Sequence, residues 1–262
     1  MTLESQSTKD TQPEEKAVNV TISDPLNKQL TENEKFKILL CGIITLIVVS
    51  TLYLNVGAFF PLYVDSNYKG KINTTMVSII LCAFEVSAVL STPIHAVTIS
   101  KMGRKNAMIV GIVAILVATY MLGLLAYIPH EKWFLFYSLA IVARLIQGYG
   151  DSLAITTIFS VVSSAYPDNK TKYISMLEAA SGLGLMVGPP LGSIIYGQFN
   201  YQWTFFTFAG AIFISLILCI FMMPSQLNIT SNSDTEKRVQ LLSRHDVEIN
   251  PNADRDAYNL LQ

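Results

Sequence analysis

Residues 182–196 read GLGLMVGPPLGSIIY, a run in which glycine and proline interrupt an otherwise apolar segment. In water such a run is typical of a loop, because proline removes a backbone donor and glycine destabilises a helix interior by about 1 kcal/mol. In lipid the helix persists, because unpaired backbone groups are too unfavourable there. Ala180, Gly184, Gly188 and Gly192 recur every four residues. The spacing predicts a helix face with almost no side chains, against which a second helix packs closely.

The composition indicates that lipid is the surrounding solvent. Of the 262 residues, 51% are hydrophobic and 14% are charged, whereas about a quarter are charged in an ordinary soluble domain. A membrane-spanning helix needs about 20 mainly apolar residues. Six segments of the chain satisfy this condition: Ile38–Val64, Met76–Ile99, Ala107–Ile128, Trp133–Val162, Ile174–Tyr196 and Trp203–Met223.

The predicted fold class is therefore an all-α membrane protein with six transmembrane helices. The six helices form one membrane domain at residues 38–223. A disordered cytosolic tail is expected at residues 1–37, and a second tail or linker at residues 224–262. Within the fifth span, Pro189 and Pro190 are expected to bend the helix near its middle.

The basic residues at the ends of the spans predict the orientation of the chain. Lysine and arginine are enriched in the cytosolic loops of membrane proteins. With the N-terminus in the cytosol, the cytosolic loops carry more of these residues than the outer loops, and six spans return the C-terminus to the cytosol. The inner residues are Lys35, Lys37, Lys101, Arg104, Lys105, Lys170 and Lys172, and the outer residues are Lys69, Lys71 and Lys132.

The C-terminal string DRDAYNLLQ bears on the membrane in which the chain resides. Asp256 and the pair Leu260–Leu261 are spaced like an acidic dileucine sorting signal, and Tyr258 begins an overlapping tyrosine-based one. A solvated linker is the alternative interpretation of this string. The expected location is a vesicular or endolysosomal membrane, or the plasma membrane. A net charge of −1 without a basic patch predicts no nucleic-acid partner.

Four charged side chains lie inside the predicted spans. Glu85 is in the second span, Arg144 and Asp151 are in the fourth, and Glu178 is in the fifth. A charge at this depth costs at least about 2.5–3.5 kcal/mol and usually faces a cavity or a partner. Arg144, Gln147 and Asp151 are spaced i, i+3 and i+7, so they share one helix face that is expected to line water. Glu85 and Arg144 lie at similar depth and could form an ion pair, which could also serve only to hold helices in register.

Other residues of the spans are expected to have packing roles. The third and sixth spans contain no charged residue and are expected to face lipid, with Gly111 as an example on the third. Cys41, Cys82 and Cys219 lie inside spans without metal-ligand spacing, so they are predicted to be small packing residues. No metal site is predicted.

Three strings resemble motifs of the major facilitator superfamily. RLIQGYGDS, residues 144–152, resembles its RxxQGxG motif, and GLGLMVGPPLG, residues 182–192, resembles its antiporter motif GxxxGPxxG. AVTISKMGRKN, residues 96–106, is similar to a degraded GxLaDRxGRR motif in which Ala96 replaces the first glycine and Ser100 replaces the aspartate of the inner gate. Residues 175–206 are similar to the vesicular amine and polyamine transporters within that superfamily.

The resemblance, over about residues 36–224, implies the N-terminal six-helix half of a twelve-helix carrier, built from two inverted three-helix repeats. It implies that the first and fourth helices line a central cavity, that the second and fifth form the seam between halves, and that the third and sixth lie outside. Arg144 would organise proton-coupled charge changes. The seam and gating residues that it implies are Gly184, Gly188, Pro189, Gly192, Gly103, Arg104 and Lys105. The candidate substrate and proton-coupling residues are Arg144, Asp151, Glu85, Glu178, Gln147 and Asn55.

The predicted function is proton-coupled antiport of a small organic cation, an amine or a polyamine, by alternating access. Three acids against one base in the spans favour a cationic substrate. The mechanism needs no covalent chemistry, so no enzyme activity is predicted, and the proton gradient replaces a cofactor. The expected partners are the lipid membrane, the small-molecule substrate and a second six-helix half, supplied by homodimerisation or by missing sequence.

Two other functions remain open at this point. The first is a truncated, non-transporting membrane protein that binds or regulates a full-length carrier. The second is an ion channel, which is disfavoured because no filter sequence is present.

Overall fold

The computed structural model describes residues 30–228, and within them the backbone forms five long helices. All five are long and apolar enough to cross a membrane, so the prediction of an all-α membrane fold is confirmed. The C-terminal sorting string and most of both predicted tails lie outside the described residues, whereas residues 32–37, predicted as part of the disordered first tail, belong to a helix. The helices are α1 (Glu32–Asn67), α2 (Thr74–Met102), α3 (Arg104–Leu124), α4 (Trp133–Ala165) and α5 (Lys170–Met222), with 3-10 turns at Leu125–Tyr127, His130–Lys132 and Ser225–Asn228.

The fifth helix contains the last two predicted spans in one continuous element, so five helices are present where six were expected. It has 53 residues, and a straight helix of that length would extend about 80 Å, more than twice the thickness of a bilayer core. Asn200 interrupts it with φ 64° and ψ 176°. Pro189 and Pro190 lie inside the helix at positions that keep helical backbone angles. The helix therefore breaks at Asn200 and continues through both prolines, and a bend at the prolines stays a prediction.

The chain reverses direction at Asn200. Before it, residues 170–199 (α5a) run parallel to α1, since Ser181 bonds Ser50 and Tyr196 stacks on Phe59. After it, residues 201–222 (α5b) run antiparallel to α1. In this limb Phe205 contacts the same Phe59 ring, and Ser215 bonds Thr45 further back along α1. The two limbs thus occupy the places of the fifth and sixth predicted spans.

The helices pack in pairs that follow a pattern. α1 packs against the two limbs of α5, and α4 packs against α2 and α3. The helices α1, α2 and α3 can be matched in order with α4, α5a and α5b. Under this matching, the packing of α1 on α5a corresponds to that of α4 on α2. The packing of α1 on α5b corresponds to that of α4 on α3. This is the pattern that two inverted three-helix repeats generate, and it supports that part of the prediction.

The glycine face of α5a packs against α1, as its spacing predicts. A Cβ atom placed on Gly184 would lie 2.5 Å from the carbonyl oxygen of Ile47, and one on Gly188 would lie 2.7 Å from that of Thr51. Real Cβ atoms do not approach so closely. The face is therefore filled by α1 of the same six-span unit, and a role of these glycines in the seam with a second half stays a prediction.

Gly111 of α3 also differs from its expected surroundings. A Cβ atom placed there would lie 2.9 Å from the carbonyl oxygen of Gly150 and 2.9 Å from the backbone nitrogen of Ala154. This part of α3 packs on α4 and does not face lipid, because the two small residues let the backbones meet. Apolar side chains are exposed on the other face of α3, for example Val113 and Val117.

A cluster of aromatic rings joins α1, α4 and α5b near the Asn200 reversal. The rings of Tyr63 and Tyr201 stack with centroids 3.8 Å apart, and Phe136 of α4 lies 4.4 Å from Tyr68. Tyr68 follows α1, and burial raises the pKa of its hydroxyl. The cluster fixes the three helix ends relative to one another.

Candidate functional site

A cavity of about 460 Å³ lies among α1, α2, α4 and α5a, and we call it the central cavity. Its volume is within the range of small-molecule sites. Apolar side chains form part of its wall, so a ligand would contact both apolar and polar groups. The polar lining residues are Ser50, Tyr53, Glu85, Thr92, Asp151, Ser152, Thr156 and Ser181.

Glu85 of α2 accepts a short hydrogen bond from α1. The Tyr53 hydroxyl donates to the Glu85 carboxylate across 2.6 Å, and the Tyr53 ring packs on Phe84 at a centroid distance of 5.2 Å. The carboxylate is thus oriented by one donor, while its exposed side faces the central cavity. Sequence analysis identified Glu85 but missed Tyr53, because a tyrosine inside an apolar span carries no spacing signal of its own.

Arg144 of α4 is 3% exposed and is held by its own helix. Its Nη1 donates to Gln147 Oε1 across 2.7 Å, and its Cζ lies 4.6 Å from the centre of the Phe84 ring. The i, i+3 spacing therefore correctly placed Arg144 and Gln147 together. The Nε atom has no hydrogen-bond partner within residues 30–228.

The ion pair considered between Glu85 and Arg144 is not formed in the part of the chain that the structure describes. The two side chains line one small pocket of about 260 Å³ beside the central cavity, but each has another partner. Tyr53 binds the carboxylate and Gln147 binds the guanidinium. Each charged group thus has one neutral hydrogen-bond partner, and the two charged groups are not in contact.

Asp151 lines the central cavity, two turns of α4 beyond Arg144. Pairs of hydroxyl groups lie in the same wall. Thr92 and Ser152 are 3.1 Å apart and link α2 to α4, and Ser50 and Ser181 are 2.8 Å apart and link α1 to α5a. Serine and threonine are frequent in spans, so sequence spacing could not identify these contacts across helices.

Asn55 and Glu178, two of the candidate coupling residues, lie outside the cavity lining. Asn55 is fully buried between α1 and Gly192 of α5a, and its Nδ2 donates to the Thr51 carbonyl oxygen across 2.8 Å. Glu178 is exposed near the beginning of α5a. The structure thus brings Arg144, Gln147, Asp151 and Glu85 together and leaves these two apart.

The loop between α2 and α3 contacts the end of α5b. Gly103, with φ 84°, ends α2, and Arg104 begins α3. Lys105 Nζ donates to the carbonyl oxygens of Ile220 and Met223 across 3.0 Å and 2.6 Å. A lysine at a helix C-terminus satisfies carbonyl groups that lack partners in the helix. The loop is therefore attached to its own six-span unit.

His95 of α2 is a buried polar residue that sequence analysis did not identify. It lies one turn from Thr92, and its ring packs edge-on against Tyr149 of α4 at 5.1 Å. Neither ring nitrogen has a hydrogen-bond partner among the described residues.

Together these features define a multi-pass membrane protein with a largely apolar cavity between its helices that also contains two carboxylates, which is compatible with the architecture of membrane transporters. The sequence profile of the Major Facilitator Superfamily matches residues 38–253. The chain belongs to this superfamily, in agreement with the resemblance of its motifs.

The chain is similar to several members of that superfamily. It is 32% identical over 176 residues to the MFS-type transporter SLC18B1 of Rattus norvegicus, over 66% of this chain and 37% of that protein. It is 28% identical over 173 residues to the Mus musculus protein of the same name, with the same coverage. It is 28% identical over 102 residues to the synaptic vesicular amine transporter of Bos taurus, over 38% of this chain and 20% of that protein. The chain thus spans little more than a third of the SLC18B1 relatives.

Proposed function

We propose that the chain takes part in proton-coupled antiport of a small organic cation, an amine or a polyamine, by alternating access. The observation that carries the proposal is the presence of two carboxylates, Glu85 and Asp151, in the wall of one cavity that also has apolar surface. An organic ammonium ion needs acceptors for its charged end and apolar contacts for its carbon chain. The name of the bovine vesicular amine transporter is consistent with such a substrate.

Proton coupling follows from competition at the carboxylates. A carboxylate that binds an ammonium ion must be ionised, so proton and substrate exclude each other at Asp151 and Glu85. A site loaded on one side with the cation and on the other with protons exchanges them in opposite directions. Arg144, held by Gln147 next to Glu85, is the fixed positive charge that balances the site when the carboxylates are ionised.

Alternating access requires a second six-helix half, and we propose that the exposed faces of α2 and α5a receive it. Leu90 and Ile94 on α2, and Leu183 and Met186 on α5a, are exposed on two of the helices that line the central cavity. The half could come from a second copy of the chain or from sequence not present here. Both termini would face the cytosol if the lysine and arginine distribution sets the orientation.

The test is uptake of a labelled monoamine and a labelled polyamine into proteoliposomes with an acidic interior. We expect Asp151→Asn and Arg144→Ala each to reduce uptake at least about tenfold, since loss of a charged contact is worth about 1.5–3 kcal/mol. Glu131→Gln is the matched control, because Glu131 is exposed in the turn before α4 and does not line the cavity, and its uptake should stay within about twofold of wild type.

Two results would decide against this mechanism. Uptake by Asp151→Asn and Arg144→Ala equal to wild type, at equal reconstituted amounts, would contradict the role of the cavity. A wild-type chain that takes up neither substrate, but alters uptake when reconstituted with a full-length carrier, would favour the alternative function of a regulatory subunit. The same exposed faces of α2 and α5a would then bind the carrier.

A further inference from the structure

His95 is a buried polar side chain of α2 that the proposed substrate site does not use. It is 0% exposed, and its ring packs on that of Tyr149 of α4 with an angle of 67° between the two planes. A neutral imidazole has one donor and one acceptor nitrogen, and neither has a partner among residues 30–228. A buried polar atom without a partner costs about 1–3 kcal/mol. Phenylalanine would pack on Tyr149 without this cost, so packing alone does not account for a histidine here.

His95 lies between the central cavity and the end of α2. Thr92, one turn earlier on the helix, lines the cavity, and Gly103 ends the helix eight residues after His95. The two positions are about 4.5 Å and about 12 Å from His95 along the helix axis. The loop at the Gly103 end is basic, which is typical of the cytosolic side of a membrane. A group that passes protons between the cavity and the cytosol would occupy this position.

A hydrogen bond joins the part of α2 that carries His95 to the part of α4 that carries Asp151. The hydroxyl groups of Thr92 and Ser152 are 3.1 Å apart, and Ser152 follows Asp151 in the cavity wall. The interface between α2 and α4 therefore contains both a carboxyl group and an imidazole. The other charged or titratable side chains that neighbouring helices place along this part of α2 or at its ends are Tyr53 of α1, Arg144 and Tyr149 of α4, and Arg104 and Lys105 of α3.

We propose that His95 is a further proton-binding group, which passes protons from the central cavity to the cytosolic end of α2. The inference rests on the proton-coupled antiport proposed above. The imidazole binds, on one ring nitrogen, a proton that has left the Asp151 carboxylic acid, and the resulting carboxylate can then bind an ammonium ion. The other ring nitrogen releases its proton to water at the cytosolic side. One proton enters the ring and one leaves it, so the imidazole is neutral again.

This role separates two kinds of transport. Uptake driven by a proton gradient requires that protons cross the protein in every cycle. Exchange of labelled for unlabelled amine at equal pH moves no net proton, because the amine itself occupies the site in both directions. Substitution of Asp151 should impair both kinds, since its carboxylate also binds the amine. Substitution of His95 should impair only the first kind.

The test uses the full chain in proteoliposomes and the labelled monoamine and polyamine of the uptake assay. His95→Phe keeps an aromatic ring next to Tyr149 and removes both nitrogens. We expect proton-driven uptake to fall at least about tenfold and exchange to stay within about twofold of wild type. The thermal midpoint should not fall, because the substitution removes only unpartnered polar atoms.

His130→Phe is the matched control. The His130 ring also packs edge-on against a tyrosine, Tyr68, at a centroid distance of 5.3 Å, but it lies in the turn before α4 and away from the cavity lining. Proton-driven uptake and exchange by this variant should both equal those of wild type. An equal loss of driven uptake in His95→Phe and His130→Phe would overturn the inference.

Two further results would overturn it: driven uptake by His95→Phe equal to wild type, or a parallel loss of driven uptake and exchange in monodisperse protein. If His95→Phe does not fold, His95→Gln, which keeps polar atoms but does not titrate, decides through the same two rates. Failure of the proposed function has a different signature. A wild-type chain that exchanges amine without responding to the pH gradient would contradict proton coupling, and the role of His95 would fall with it.

Discussion

Gly188 lies where the backbones of α1 and α5a approach closely along the glycine face. A Cβ atom there would meet Thr51 backbone atoms at 2.7, 3.2 and 3.3 Å, and backbone cannot rotate away as a side chain can. We expect Gly188→Val to force the two helices apart, at a cost of about 1–3 kcal/mol from overpacking. The measurement is the thermal midpoint of the detergent-purified chain, with substrate uptake as a second readout.

Gly182→Val is the matched control for Gly188→Val. Gly182 belongs to the same helix, but a Cβ atom placed there has no atom within 4 Å. Its midpoint and uptake should stay close to wild type, and equal losses in both variants would contradict close packing at Gly188. Gly111 is unsuitable as a control, because it packs against α4.

Sequence spacing predicts contacts within a helix better than contacts between helices. The four-residue repeat correctly indicated a close-packed face, and the i, i+3 spacing correctly joined Arg144 to Gln147. The bond from Tyr53 to Glu85 depends on the relative rotation and register of α1 and α2, which hydropathy does not encode. For the same reason the burial of Asn55 against Gly192 could not be predicted, and its coupling role stays a prediction.

At the scale of the element, the spans were predicted to within a few residues, while their connection was not. The second predicted span, Met76–Ile99, falls inside α2. Residues 197–202 lie between the fifth and sixth predicted spans, yet the helix includes all of them and only Asn200 leaves helical angles. Hydropathy measures preference for lipid, and a polar helix end is compatible with water at the membrane surface.

Substitutions at Asn200 test whether its backbone conformation is strained where the chain reverses direction. Its φ of 64° with ψ of 176° lies in a region occupied almost only by glycine. Asn200→Gly should therefore stabilise the chain by about 1 kcal/mol, and Asn200→Val should destabilise it by a similar amount or more. The readout is the thermal midpoint in detergent.

Asn169→Gly provides the comparison for Asn200→Gly. Asn169 precedes α5 with φ −122°, where glycine has no conformational advantage. We expect no stabilisation at this position. If Asn169→Gly and Asn200→Gly raise the midpoint equally, the backbone angle at Asn200 is not the cause.

At the scale of the whole molecule, motifs and composition predicted the family and the membrane fold. They did not predict which faces of the helices are buried and which are exposed. α3 was expected to face lipid, but one of its faces packs on α4 through Gly111. α2 is the least buried of the five helices within its most apolar window. Both helices have similar apolar composition, so composition alone could not separate them.

The open face of α2 gives a test for a second copy as the missing half. In a Cys82→Ser background, Leu90→Cys places a thiol on this face, where Leu90 is 67% exposed. If two copies associate there, a bifunctional maleimide applied to membranes should yield a covalent dimer. Val117→Cys on the exposed face of α3 is the control and should stay monomeric. Equal dimer yields at both positions would contradict association through α2.

The packing partners of α1 are synthesised long after α1 itself. α1 packs mainly against the two limbs of α5 and barely against α2, which follows it. Ser50 and its partner Ser181 are 131 residues apart, which a ribosome takes about 7 to 26 s to translate. During that interval, α5a is not yet present to bury the hydroxyl groups of Ser50 and Thr51 and the amide group of Asn55 in the membrane. The packing surface of α1 is therefore completed only when α5a has been synthesised, although α1 precedes it by more than a hundred residues.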